Sequence, residues 1–439
     1  MTTRRNALKL MLGGAAATAA LGQSPLQLQF ATPSARAAIP GRTLIKVFQR
    51  GGADGVNLFP PYGENEYYTI RPNIAVAPPN GGDANSALRL TNFFGMHPAM
   101  APLMEVWDNG DMAVIPAAHF EGASRSHFDN QAWIESGIRG FTASGYLGRY
   151  LEQNPPAGLV QALVAGRSSA TASMRGTVPV TAVRDQNSFS VEDSLWCRGA
   201  DCDGDDYHSV LRRLTSAFPS DASALERLAY GNGAVMSDTL DVFQSVDPDA
   251  LPDAGGLDYS NSNFGRGLRV IANLIKADVG LEVAATDWNI GWDTHSNQLP
   301  NGTSHGDLNF GFHGRMNTGA SDILTFYRDI SAVRNDVTMV IGTEFGRTSR
   351  ENGSRGTDHG HAAAWMAIGG RVNGGIIGAW PGLQEQQLHN GRFLEQTVNY
   401  KDIVSEGLVR LLGTPESQLA TIFPDHQVTD LGLFAGAGS

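Results

Sequence analysis

Residues 42–59 read RTLIKVFQRGGADGVNLF. Leu44 to Phe48 is a short apolar run of β type, and Gly51-Gly52 ends it. A short run of this kind closed by a glycine turn reads as a buried first strand, the habit of sheets in α/β proteins. Asp54 stands just past the strand's C-terminal end. That edge is where ligands bind in doubly wound folds.

The same logic repeats outward from this stretch. In HPAMAPLMEVWDNGDMAVIPAA (97–118), Pro98 opens a helix carrying Met100, Leu103, Met104 and Trp107. Asn109-Gly110 stops it, and MAVIPA is the next strand. In HFEGASRSHFDNQAWIESG (119–137), Ser126 reads as an N-cap with Asp129 in a capping-box-like position. That helix is predicted to reach Ser136, with Gly137 as its stop. Residues 155–185 alternate short apolar runs with turns and read as further strands. Leu268, Ile271, Leu274 and Ile275 share one face of a helix, and LEVAATDWNIGWDTHSNQ (281–298) is a strand running into a polar loop. DILTFYRDISAVRN (322–335) reads as a helix, VTMVIGTEFGRT (337–348) as a buried strand, and YKDIVSEGLVRLLG (400–413) as an amphipathic helix closed by Gly413. Strands alternating with helices predict one α/β domain over 38–439, doubly wound, with a largely parallel sheet flanked by helices.

The chain has 439 residues, a formal net charge of -12 and 41% hydrophobic residues. The charge argues against nucleic acid or an anionic membrane surface as the main partner. The hydrophobic fraction suffices for a large core. The N-terminal TTRRNALKLMLGGAAATAALG joins Arg4-Arg5 to a mildly apolar run, which is the twin-arginine export pattern. Ala35-Arg36-Ala37 predicts cleavage after Ala37. The segment is too short and weakly hydrophobic to read as an anchor. A periplasmic or secreted protein follows, with no membrane anchor after cleavage. The two cysteines, Cys197 and Cys202, lie in CRGADC, and an oxidising compartment permits a disulfide between them. Asp201, Asp203 and Asp205 alternate there as a calcium-like loop would, but lack the terminal glutamate of such loops, so a solvated acidic loop is the preferred reading.

Four polar clusters fall just after predicted strands: Asp54; Ser124, Ser126 and His127; Asp293 and His295; and Glu344 with Asp358, His359 and His361 in RGTDHGHAAAW (355–365). In a parallel sheet all strand C-termini share one edge, so these clusters converge. Carboxylates and neutral imidazoles are ligands for zinc, with manganese, magnesium or calcium as alternatives. A serine at a helix N-cap has N–H groups beside it that favour an anion such as phosphate. His97 reads as a cap before Pro98 and His119 as support for the site. His208, His305, His313, His389 and His426 read as surface or structural residues.

FQRGGADGVNLFPPYGENEYYTIRP, SRSHFDNQAWIESG, GWDTHSNQ, EFGRTSRENGSRGTDHGHAAAWMAIGG and GGIIGAWPGL resemble the family catalogued as domain of unknown function 1501. The resemblance spans nearly the whole mature chain, in order. Twin-arginine signals are usual in that family, which is related to the alkaline phosphatase superfamily. The resemblance implies an alkaline-phosphatase-like α/β core with a site for one or two metals. It implies Asp54, Asp293, His295, Asp358, His359 and His361 as metal ligands, with Glu344 a further candidate. It implies Ser126, or Ser124, as the nucleophile. Arg125 or Arg347 is then the candidate for gripping a small anionic ester bidentately. Two departures stand out. The Asp293–His295 spacing is shorter than the superfamily's, and Glu344 takes the strand end where an Asp-His pair is usual. The expected function is an exported metal-dependent hydrolase of phosphate or sulfate esters. The alternative is an exported binding or assembly protein that keeps the fold.

Overall fold

The computed structural model describes residues 42–154, 160–185 and 258–435 apart from 82 and 141, together with residues 223 and 242. The export segment, the Cys197–Cys202 loop with Asp201, Asp203 and Asp205, and His208 lie outside the described residues. The chain divides into two compact units, and the larger comprises Ile39–Ser188 and Val246–Ser439. The strands and helices named here belong to that unit.

Eleven strands are described: β1 Thr43–Phe48, β2 Leu88–Arg89, β3 Gly95–Met96, β4 Met112–His119, β5 Ala162–Ala165, β6 Thr181–Val183, β7 Val283–Asp287, β8 Val337–Gly342, β9 Ala363–Gly369, β10 Gly375–Ile376 and β11 Val398–Asn399. Nine form one sheet in the order β10-β4-β9-β8-β1-β7-β5-β6, with β11 beside β4. β2 and β3 form a separate antiparallel ribbon. Every pairing in the large sheet is parallel except those of β9 with β4 and β8.

β1 is buried along its whole length because helices cover both faces of the sheet. Leu44 and Phe48 pack with Tyr146, Leu147, Tyr400 and Ile403, which belong to the helices Tyr146–Gln153 and Tyr400–Glu406. Successive strand residues point to opposite faces. The second face carries the helices Asn263–Lys276 and Gly311–Asp329, seated by glycines. A Cβ on Gly267 would lie 3.0 Å from Thr286 Oγ1, and one on Gly319 would lie 2.1 Å from Trp288 Nε1. The doubly wound α/β sheet expected from the sequence is therefore present.

Several local expectations also hold. Ser126 caps the helix His127–Ser136, which Gly137 ends at φ +72°. The capping box is incomplete, because Ser126 N donates to Ser124 Oγ (2.9 Å) and not to Asp129. His97 caps the turn at Pro98 by accepting from Ala99 N (3.2 Å).

Other expectations need correction. The helix expected to begin at Asp322 begins at Gly311. His305 and His313, read as surface or structural, are structural: they are 6% and 1% exposed and pack with His97, whose Nε2 lies 3.0 Å from His305 Nδ1. β9 is an additional, antiparallel strand. Its direction matters, because its N-terminus starts at the edge where the parallel strands end. The Asp358–His361 loop is thereby delivered to the same edge as Asp54, His119, Asp293 and Glu344. No helix among the described residues is long and apolar enough to cross a membrane.

Candidate metal centre

Asp293 lies in the loop after β7. Three imidazoles turn toward its carboxylate. His295 Nε2 lies 3.1 Å and His359 Nε2 3.3 Å from Asp293 Oδ1, and His127 Nε2 lies 3.4 Å from Oδ2. His295 and His359 also place their Nε2 atoms 2.9 Å apart. Donor atoms of His127, Asp293 and His359 all fall within 4.8 Å of one another.

The opposite nitrogen of each ring is engaged. His127 Nδ1 donates to Glu344 Oε1 at 2.7 Å, His359 Nδ1 to the Arg125 carbonyl at 2.7 Å, and His295 Nδ1 to Asp358 Oδ1 at 3.3 Å. A carbonyl or ionised carboxylate can only accept, so a proton on Nδ1 satisfies each of these contacts, and in that tautomer Nε2 offers its lone pair to a cation. The donor atoms of His127, Asp293 and His359 form one compact set, with His295 beside it at Asp293 Oδ1 and His359 Nε2. Imidazoles whose far N–H is anchored by an acceptor are the usual environment of metal-bound histidine. The residues present fit a divalent cation of the zinc class.

The electrostatics agree. Burial would raise the Asp293 carboxyl, but the Arg347 guanidinium, bonded at 2.5 Å, holds it below the usual range. Burial also opposes ionisation of Glu344, yet the hydrogen bonds from His127 and Gln131 keep it low. Its hydrogen bond to Glu344 raises His127, whereas burial lowers His359.

The sequence-predicted residues divide by placement. Asp293, His295 and His359 meet directly. Asp358 stands behind His295 and also accepts from Asn352 Nδ2 (3.1 Å). Glu344, fully buried, stands behind His127 and accepts from Gly51 N (2.9 Å) and Gln131 Nε2 (2.8 Å). Asp54 is tied elsewhere: its Oδ2 accepts from the fully buried Arg71 (2.6 Å) and from Gln298 (2.7 Å). Arg347 is not free to grip an anion. It donates to the carbonyls of Gly52 (2.6 Å), Gly51 (2.6 Å), Trp292 (3.1 Å) and Thr357 (3.2 Å) and to Asp293, so it positions the Asp293 carboxylate. Arg125 is exposed, with its guanidinium 4.8 Å over the Phe393 ring. Ser126 Oγ accepts from Asp129 N (3.4 Å), while Ser124 Oγ lies 3.3 Å from Asp129 Oδ2. His361 belongs to a different group, with His389 and Glu395. His127 stood in the second polar cluster of the sequence but was not among the ligands the resemblance implied; its place next to Ser126, after a predicted strand, was the available signal.

Residues 220–428 match the family described as Protein of unknown function (DUF1501). That span contains Asp293, His295, Glu344, Asp358, His359 and His361; Asp54, Ser124, Ser126 and His127 precede it. No curated protein matches the chain. Among solved structures, the chain is similar to the lipoteichoic acid synthase LtaP from Listeria monocytogenes. The identity is 10% and the TM-score 0.38, over 90% of this chain and 76% of that one. It is also similar to a protein in the alkaline phosphatase superfamily from Vibrio parahaemolyticus, at 9% identity and a TM-score of 0.31, over 84% of this chain and 70% of that one. Alkaline phosphatase from the Antarctic bacterium TAB5 matches at 7% identity and a TM-score of 0.30, over 76% of this chain and 92% of that one. The fold given above rests on this chain's own strand order.

Proposed function

We propose that this protein is an exported, metal-dependent hydrolase of phosphate or sulfate esters, acting on a small anionic substrate. The observation that carries the reading is the convergence of three imidazole Nε2 atoms on Asp293, each ring held from behind at Nδ1. His127, His295, His359 and Asp293 would hold the cation, with zinc as the first choice and manganese, magnesium or calcium as alternatives. When bound, it would supply Lewis acidity that lowers a hydroxyl pKa and offsets charge on the ester's oxygens.

The chain's own residues supply the rest. Ser126 is the nucleophile of choice. Its Oγ accepts from Asp129 N (3.4 Å), which leaves its own proton to be given up on attack. The ten-residue helix behind it directs free N–H groups at an incoming anion. Ser124, which accepts from Ser126 N, is the second candidate. Arg125, between them, is free to pair bidentately with the ester's anionic oxygens. Arg347 and Asp358 hold Asp293 and His295 in place. Export by the twin-arginine route accords with Arg4-Arg5 and Ala35-Arg36-Ala37.

The test joins elemental analysis of purified protein to an assay on chromogenic aryl phosphates and sulfates. Asp293→Asn is expected to lose both the bound divalent ion and turnover. Ser126→Ala is expected to keep the ion and lose turnover by about three orders of magnitude or more, the scale of removing a covalent nucleophile. A protein without a bound divalent ion, or one whose turnover survives Asp293→Asn, would contradict the proposal. Metal-dependent stability with no turnover of any ester would favour a binding protein instead.

A further inference from the structure

A second set of imidazoles gathers at the same sheet edge and takes no part in the centre described above. His119 ends β4, His361 precedes β9, and His389 and Glu395 lie in the 385–395 loop. Donor atoms of His361, His389 and Glu395 all lie within 4.8 Å of one another. The His361 and His389 rings are 4.1 Å apart, and His119 meets His361 edge-on at 4.6 Å. His389 Nδ1 lies 3.3 Å from Glu395 Oε2. His119 is 1% exposed, and its Nε2 is buried with no hydrogen-bond partner.

A buried ring nitrogen without a partner is costly, and an apolar ring of similar size would avoid that cost. Three imidazoles and a carboxylate packed together instead offer a nitrogen-rich, partly anionic donor set. That set suits a borderline divalent cation better than it suits a hydrophobic core.

We propose that His361, His389 and Glu395 form a second site for a zinc-class cation, with the buried His119 packed against His361. It shares no ligand with the centre at Asp293. Its ligands come from the entrance to β9 and the 385–395 loop, so the cation clamps that loop onto the sheet. The same loop supplies Glu385, Leu388, Gly391 and Arg392 to the wall of a cavity of about 560 Å³ that reaches Asp358. It also carries Phe393, on whose ring Arg125 rests. The clamp therefore shapes the cavity and steadies the arginine offered to an anion. This last role rests on the proposed hydrolase reading, whereas the cation site does not.

The experiment strips metal from full-length protein and titrates Co²⁺ by absorption, with circular dichroism to confirm that each variant folds. Wild-type protein is expected to bind about two ions per chain, and His389→Gln, Glu395→Gln and Asp293→Asn about one each. Combining Asp293→Asn with His389→Gln is expected to abolish binding. If both loop variants bind as many ions as wild type, or if wild type binds one ion that Asp293→Asn removes, the second site does not exist. An Asp293→Asn protein that still binds two ions would instead overturn the first centre. With an ester assay, His389→Gln is expected to raise KM several-fold more than it lowers kcat. Equal losses in both would contradict the positioning role, while the stoichiometry would still decide the site.

Discussion

Asp293, His127, His295 and His359 come together because three acceptors, Glu344, the Arg125 carbonyl and Asp358, turn the rings. Glu344 and Asp358 are anchors in this arrangement, each facing a histidine Nδ1. Such supporting contacts are worth about 10–100-fold in metal affinity. Glu344→Gln and Asp358→Asn are therefore each expected to weaken divalent binding by that order, measured against a competing chelator. Unchanged affinity in both variants would show that the rings hold themselves. A second prediction concerns charge. Burial alone would raise the Glu135 carboxyl, but Lys46 at 2.5 Å and then Arg50 at 3.0 Å hold it down to about 2. Its folded pKa lies below its unfolded one, so it stabilises the fold above the unfolded value, and that contribution fades as pH falls from about 4.5 toward 2. Glu135→Gln leaves Lys46 buried without its counter-charge and is expected to cost about 3–5 kcal/mol. Denaturant titration at neutral pH checks it; a loss under about 1 kcal/mol would mean the network is solvated. At this scale the sequence was partly legible. Asp293, His295 and His359 could be singled out, because acids and histidines after predicted strands are rare and local. The Asp54–Arg71–Gln298 bonding could not, because it joins residues up to 244 apart in the chain.

At the scale of elements, β9 decides whether the late loop reaches the site. Its apolar run, AAWMAIG, was visible in the sequence, but nothing local fixes whether a strand runs parallel or antiparallel. That choice depends on the return path over the sheet edge. The loop that enters β9 crosses the segment after β8 at close range. A Cβ on Gly360 would lie 2.3 Å from the Arg347 carbonyl, and one on Gly346 would lie 1.9 Å from the Ala362 oxygen. No real contact is so short, so Gly360→Ala must push His359 and Arg347 apart. It is expected to destabilise the protein by about 1–3 kcal/mol and to lose metal with it. Thermal unfolding with metal analysis checks this, and a variant with wild-type stability and metal content would contradict the crossing. The capping serine, by contrast, was legible, because an N-cap is written in a few adjacent residues.

For the whole molecule, a doubly wound sheet collects its chemistry at one edge, and strand order with the reversed direction of β9 brings residues 127, 293 and 359 together. A cation bound only by the folded chain adds stability by mass action, about 2.7 kcal/mol at a hundredfold excess over Kd. Chelation is therefore expected to lower the melting temperature by several degrees and readdition to restore it; an unmoved transition would count against a resident ion. Export is testable at this scale too. Replacing Arg4 and Arg5 with lysines is expected to leave full-length precursor in the cytoplasm, whereas undiminished export would point to another route. The most direct test of the central claim is hydrolysis of a chromogenic aryl phosphate by purified protein before chelation, after it, and after a divalent ion is returned. The account predicts turnover that disappears with the metal and returns with it in wild type but not in Asp293→Asn. Turnover indifferent to chelation, or restored equally in the variant, would contradict it.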